Sequence, residues 1–333
     1  MTASTRGDPR PAPRIYVRQE LHPAAMALLA GSGIGYAVGY GPEAVPFDQV
    51  SDTIEGVVVR YDGIPAADIR RAPRLAVIAR CGVGYENIAV AEAAGRGIPV
   101  YITAGANALS VAEHVFTLAL AVLKAIPRWD ALAREVPPDL DWQREHSLAH
   151  NITGTTLGLI GTGRIGREVA RIGRHGFGMK LLAYHPTRTQ GTGDWVDVPF
   201  CTSLDTVLGA SDVISIQAPL TAATRQMFGA AQFARMKPTA ILVNVARGEI
   251  VNDADLAAAL EDRVIAGAGI DVWQHKLPAL GNPLLKAGNA VLTPHRAGRT
   301  EEAQRDMGVW AVRAVLETLA GASPSHVLDV TRL

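Results

Sequence analysis

Along the first hundred residues, short apolar runs alternate with stretches whose apolar positions recur at helical spacing. Residues 14–17, 56–59, 76–79 and 99–101 read as strands, and 23–29, 66–70 and 90–94 as helices. This alternation predicts a parallel α/β sheet, because parallel strands need a long crossover and a helix supplies it. The nearly apolar run 110–123 follows, a long buried helix with Ser110 and Glu113 at capping-box spacing, expected to pack between domains or between subunits. Residues 126–151 mix Pro, Trp, Arg and His without a period and read as an irregular linker. A second α/β pattern then places strands at 156–160, 180–184, 213–217, 240–244, 266–270 and 290–293, enough for a doubly wound sheet. Residues 301–319 form a last helix, predicted to cross back onto the first unit, which otherwise lacks a closing element.

Length and composition sharpen this pattern. A chain of 333 residues suits two domains, and 48% hydrophobic residues with only 5% aromatics favour close helix-on-sheet packing. Lys plus Arg equals Asp plus Glu at 32 each, so no net field favours nucleic acid or a membrane surface, and neither partner is expected. No apolar run is long enough to span a membrane. Cys81 and Cys201 are too few for a disulfide framework, which makes a reducing cytoplasm the simplest setting. The nine His form no metal-ligand array, so no metal is expected. Residues 1–14, rich in Pro and polar groups, read as a disordered tail.

Candidate chemistry begins mid-chain. Gly161, Gly163 and Gly166 make G-x-G-x-x-G, with Arg164 and Ile165 inside it, after the strand 156–160 and before residues that open a helix. With 33 glycines in the chain the motif alone is weak, but this strand–turn–helix setting is what a dinucleotide pyrophosphate site requires. The first glycine permits the tight turn, the second lets the backbone approach the phosphates, and the third brings helix against strand. At the end of the next strand, where an acid would read a free ribose 2′-hydroxyl, stand Tyr184, His185, Pro186, Thr187 and Arg188, with no carboxylate. Thr187 and Arg188, with His185 beside them, suit a 2′-phosphate and favour NADP; in the other reading Arg188 is a solvated loop residue and the cofactor is NAD.

Three further clusters end later strands: Asn244-Val245-Ala246-Arg247-Gly248, Gly269-Ile270-Asp271-Val272-Trp273 and Thr293-Pro294-His295-Arg296-Ala297-Gly298. With 80–87, 107–114 and 219–224, they closely resemble the D-isomer-specific 2-hydroxy acid dehydrogenases over nearly the whole chain after residue 14. The resemblance implies two Rossmann-like, doubly wound parallel-sheet α/β domains with the active site in the cleft between them, usually in a homodimer. It places a discontinuous substrate domain at 15–105 and 299–333 and a dinucleotide domain at 106–298. The reaction it implies is hydride transfer between a nicotinamide cofactor and a small 2-oxo or 2-hydroxy acid.

That chemistry fits the residue types. His295 is the candidate acid/base, since an imidazole titrates near neutrality, and Arg247 has the planar fork that clamps a carboxylate. Both follow strand ends, where ligands of parallel sheets bind. The resemblance further implies that amides of the turn at 82–84, Val83 and Gly84 among them, hold the substrate carboxylate as an anion nest. Asp271 would accept from the nicotinamide carboxamide, while Ala218, Pro219, Thr224, Val245, Ala246 and Gly298 would line the cofactor site. Arg60 meets a second anionic group on the substrate or serves as a plain surface residue. Cys81 reads as a packing residue.

One position departs from the pattern. Where the family has a Glu paired to the catalytic His, this chain has Lys276. A cation beside His295 depresses the imidazole pKa and weakens proton donation at neutral pH. Three readings follow: an enzyme with a lower pH optimum or a doubly anionic substrate that pairs with Lys276; a Lys276 that points to solvent; or a nucleotide-sensing binding protein on a dehydrogenase scaffold.

Overall fold

The computed structural model describes residues 12–135, 149–274 and 277–332; Lys276 and most of the expected tail lie outside them. The chain divides into two compact units, Met1–Asn107 with Arg299–Leu333, and Ala108–Gly298.

The first unit opens with strands β1 (Ile15–Val17), β2 (Tyr36–Val38), β3 (Gly56–Val59), β4 (Val77–Arg80) and β5 (Val100–Ile102), interleaved with helices α1 (Pro23–Gly31), α2 (Phe47–Val50), α3 (Ala66–Arg71) and α4 (Val90–Gly95). The second contains helices α5 (Ala108–Leu123) and α6 (Ile126–Glu135), then strand β6 (Thr156–Ile160), α7 (Arg164–Phe177), β7 (Lys180–Tyr184), β8 (Phe200–Cys201), α8 (Leu204–Ala210) and β9 (Val213–Ile216). It continues through α9 (Ala230–Phe233), β10 (Ile241–Asn244), α10 (Asp253–Glu261), β11 (Gly267–Ile270) and β12 (Ala290–Leu292). Helix α11 (Glu301–Leu319) and strand β13 (Leu328–Asp329) return to the first unit.

In the first unit the sheet order is β13-β5-β4-β3-β1-β2. All pairs are parallel except β13 with β5, so the expected parallel sheet gains an antiparallel edge. Alternate residues of β3 face opposite layers. Val57 and Val59 join Ile69 and Ala93 from the α3 and α4 side, while Val58 meets Leu29 of α1 and Ala311 and Val315 of α11. Thr300 caps α11 through its hydroxyl, which accepts from the Ala303 amide at 3.2 Å.

The second unit is a seven-stranded parallel sheet, β12-β11-β10-β9-β6-β7-β8, with order reversing on either side of β6. Leu157 and Leu159 of β6 pack with Val115 and Phe116 of α5 and Val169 of α7, whereas Ile214 and Ile216 of β9 pack with Leu208, Phe233 and Leu256 on the opposite face.

Two expectations are corrected here. Helix α5 starts at Ala108, so Ser110 is a buried residue within the helix and not its cap. Its apolar face covers α7 and strands β10 and β11 of its own unit. Residues 126–135, expected to be irregular, form α6. Pro127 lies in the first turn, where a missing N–H costs nothing, and Arg134 pairs with Asp130 one turn back at 2.9 Å. Among the described residues no single helix is long and apolar enough to cross a membrane; α5 and α6 reach that length only together, across a 59° bend.

Candidate active site

The glycine turn is built as its sequence demands. Gly161 leaves β6 at φ +114°, and a Cβ there would lie 2.6 Å from the Ala218 nitrogen. A Cβ on Gly166 would lie 2.3 Å from the Gly161 oxygen, so helix and turn touch through bare backbone. Gly163, at the start of α7, has nothing within 4 Å of its Cβ direction. Such a turn, closed below and open above a helix N-terminus, fits a dinucleotide pyrophosphate. Gln217, to which the sequence reading gave no role, holds it: its Nε2 donates to the Gly161 oxygen at 2.8 Å, and its Oε1 accepts from Ser215 at 2.8 Å.

After β7 the His185 ring caps the loop that carries Thr187 and Arg188. Its Nδ1 accepts from the amides of Arg188 at 3.1 Å and Thr187 at 3.3 Å. Desolvation and then the Arg188 charge lower the His185 pKa. The Arg188 side chain is exposed, and the described residues offer it no salt bridge. After β9, Thr224 fastens the turn at 218–224, its hydroxyl donating to the Pro219 oxygen at 2.7 Å. Ala218 lies half-buried beside Gly161.

Strands β10, β11 and β12 are parallel neighbours, and the three remaining motifs leave their carboxyl ends. Beyond β10 the buried Asn244 shapes the turn that carries Val245, Ala246 and Arg247: its Oδ1 accepts from the Ala246 amide and its Nδ2 donates to the Arg247 oxygen, each at 3.1 Å. Arg247 also donates a guanidinium N–H to the Ala246 oxygen at 2.8 Å. Gly248 presses against the backbone of Trp273, where a Cβ would lie 2.1 Å from the carbonyl carbon, so the ends of β10 and β11 are in contact.

Asp271, beyond β11, is fully buried. Its Oδ1 accepts from the Thr293 hydroxyl at 2.6 Å and the Arg296 amide at 2.7 Å, and its Oδ2 accepts from the Ala297 amide at 2.9 Å. His114 of α5 lies beneath, with Nε2 3.0 Å from Thr293 Oγ1 and 3.5 Å from Asp271 Oδ1. Burial pushes the Asp271 carboxyl up, but the hydrogen bonds from His114, Thr293 and the two amides outweigh it and hold the pKa below the ordinary value. The carboxylate expected to face the carboxamide thus first organises the segment beyond β12. That segment holds His295 in the left-handed region at φ +56°, uncommon for a non-glycine residue. The His295 amide donates to the Asp271 carbonyl at 2.8 Å, and the Trp273 indole N–H to the Thr293 carbonyl at 3.0 Å. The imidazole side chain is exposed.

In the first unit, the turn after β4 places Gly82 at φ +139°, its amide donating to Thr103 Oγ1 at 2.9 Å. Gly82 is therefore engaged within the fold, whereas the Val83 and Gly84 amides meet no acceptor among the described residues. Two neighbouring open amides of this kind can hold an anion. Cys81 is buried, and desolvation pushes its thiol up to about 11. Arg60 follows β3; it donates to the Glu20 carbonyl at 2.9 Å and to Gln304 Oε1. No group of three potential metal ligands occurs among the described residues.

The model of the D-isomer specific 2-hydroxyacid dehydrogenase, NAD binding domain, matches residues 116–297. The chain belongs to the D-isomer specific 2-hydroxyacid dehydrogenase family. It is 36% identical over 285 residues to a glyoxylate reductase of Korarchaeum cryptofilum, covering 86% of this chain and 85% of that one. It is 34% identical over 318 residues to a D-3-phosphoglycerate dehydrogenase of Archaeoglobus fulgidus, covering 95% of this chain but spanning only 59% of that relative's length. Among solved structures it is similar to an NADPH-dependent glyoxylate/hydroxypyruvate reductase from Sinorhizobium meliloti, with TM-score 0.79 and 26% identity over 95% of this chain and 97% of that one. Family membership accounts for an NAD-binding sheet that carries Arg247, Asp271 and His295 on three adjacent strand ends.

Proposed function

We propose that this chain is a nicotinamide-dependent reductase that converts small 2-oxo acids to 2-hydroxy acids. The observation that carries the reading is the seating of Arg247, Asp271 and His295 beyond the carboxyl ends of β10, β11 and β12, the edge at which parallel sheets bind their ligands. A dihydronicotinamide cofactor held at the Gly161–Gly166 turn would supply the hydride for the substrate's carbonyl carbon. Arg247 clamps the carboxylate and polarises the adjacent carbonyl; His295 donates a proton to the carbonyl oxygen as charge develops there. In the first unit the Val83 and Gly84 amides, open among the described residues, have the geometry of a small neutral anion nest. Asp271 positions the His295 segment.

For the cofactor, the lack of a carboxylate at 184–189 and the exposed Arg188 beside Thr187 support NADP over NAD. Lys276, at the position of the family's Glu, supports a second reading: a nucleotide-sensing protein with weakened catalysis. Oxidation of NADPH and NADH with glyoxylate and hydroxypyruvate, in the parent and in Lys276→Glu, separates the two. Turnover in either protein supports the reductase; cofactor binding without turnover in both supports the sensor.

A further inference from the structure

The loop after β3 carries a tyrosine flanked by two arginines. The Arg60 guanidinium lies 4.5 Å from the centroid of the Tyr61 ring and that of Arg299 lies 5.5 Å from it, while an Arg299 N–H also donates to the Tyr61 hydroxyl at 2.9 Å. The acceptors of both guanidinium groups are neutral: a main-chain carbonyl and a Gln amide for Arg60, a phenol for Arg299. The adjacent carboxylate, Asp62, accepts from Gln19 Nε2 at 3.1 Å and forms no ion pair with either arginine. Two cations thus share one aromatic ring, and neither is neutralised by a carboxylate among the described residues.

Their roles differ. Arg60 is half-buried and pinned at two nitrogens by internal acceptors, so it supplies a fixed charge behind the ring. Arg299 and Tyr61 are exposed, and the one hydrogen bond between them uses a single guanidinium N–H and leaves the phenol able to donate. The pair also lies beside the anion nest. Strand β3 is hydrogen-bonded to β4 with Val59 opposite Arg80, and Cys81 continues the ladder through its amide to the Val59 oxygen at 2.9 Å. The loops beyond the two strands are tied by Asn87, whose side chain donates to the Tyr61 carbonyl. The Val83 and Gly84 amides and Tyr61, which Arg299 contacts from the segment before α11, therefore follow neighbouring strand ends, whose spacing is about 5 Å.

We infer that Tyr61 and Arg299, backed by Arg60, form a subsite for a second anionic group at the far end of the substrate, so that this protein selects 2-oxo acids with a distal carboxylate over uncharged ones of the same length. The guanidinium fork and phenol suit a carboxylate that accepts from both at once. The inference rests on the 2-oxo acid reading and narrows it to a substrate class.

The test compares 2-oxoglutarate with 2-oxovalerate, which have the same number of carbons and differ in the distal carboxylate. The parent is expected to favour the diacid at least tenfold in kcat/KM, through KM, and Arg299→Gln to lose that preference. The control Arg305→Gln, which removes a charge from an exposed ion pair on α11, keeps it. Equal use of both acids by the parent, or an undiminished preference in Arg299→Gln, overturns the subsite. If no 2-oxo acid is turned over, the reductase reading fails by itself, and calorimetric titration with glutarate and valerate decides the subsite. Glutarate binding that weakens at least tenfold in Arg299→Gln supports it, and no difference between the two ligands or the two proteins overturns it.

Discussion

The main-chain amide of His295 donates to the carbonyl oxygen of Asp271 at 2.8 Å, and the Asp271 carboxylate takes the next two amides, of Arg296 and Ala297. Three consecutive amides thus converge on one buried residue. A left-handed conformation at His295 costs about 1–2 kcal/mol, and these bonds stabilise it against relaxation.

Replacing Asp271 by Asn tests that relationship. The amide side chain keeps one acceptor oxygen and sets an N–H donor against a main-chain N–H, so the variant should lose about 2 kcal/mol in urea unfolding at neutral pH. The sign with pH follows from the lowered carboxyl pKa. Asp271 contributes stability above the ordinary carboxylate range, near about pH 4, and that contribution is lost as pH falls through the lowered folded-state value. The acid limb of the parent's stability profile should therefore be steeper than that of Asp271→Asn.

Gly166→Ala should disturb the nucleotide turn. The added methyl would lie 2.3 Å from the Gly161 oxygen, and backbone on both sides prevents an easy escape. A loss of about 1–3 kcal/mol in unfolding and a clear loss of cofactor affinity are expected. Gly163→Ala, whose methyl points into open space, should keep the stability. Calorimetric melting and cofactor fluorescence titration measure the pair.

Arg188→Asp should invert the cofactor preference. Loss of a charge-assisted bond to a ribose phosphate weakens NADPH by about 1.5–3 kcal/mol, roughly ten- to a hundredfold, and the new carboxylate suits the free 2′-hydroxyl of NADH. Dissociation constants for both cofactors report it; an unchanged ratio would mean that Arg188 does not touch the ribose.

Cys81 should resist alkylation in the folded protein. Its thiol is buried and pushed up to about 11, so almost no thiolate exists near neutrality. Modification with iodoacetamide at about pH 8 should reach Cys81 only after denaturation, as peptide mass mapping will show.

The motifs legible in the sequence are those whose geometry is local. Gly161, Gly163 and Gly166 follow a strand and open a helix, and Arg247 and His295 stand immediately beyond strands, so each could be placed from neighbours in the chain. Gln217, Asn244, Thr293 and His114 could not be assigned roles, because the work of each depends on a bond visible only in three dimensions. His114 and Asp271 are 157 positions apart yet lie 3.5 Å from each other. Strands β2, β8 and β13 have two or three residues each and leave almost no periodicity to read. Helix α6 was hidden by Pro127, which looks like a breaker until its place in the first turn is known.

The central claim is that His295 donates the proton and Arg247 holds the carboxylate in 2-oxo acid reduction. Its most direct test is the rate of NADPH oxidation with glyoxylate from about pH 5 to about pH 9, in the parent, His295→Gln and Arg247→Ala. The account predicts measurable turnover in the parent, with a basic limb set by imidazole titration. It predicts a loss of about a hundredfold or more in kcat for His295→Gln, and for Arg247→Ala a fall in kcat/KM with a rise in KM. Parent-like rates and an unaltered pH profile in His295→Gln would contradict it.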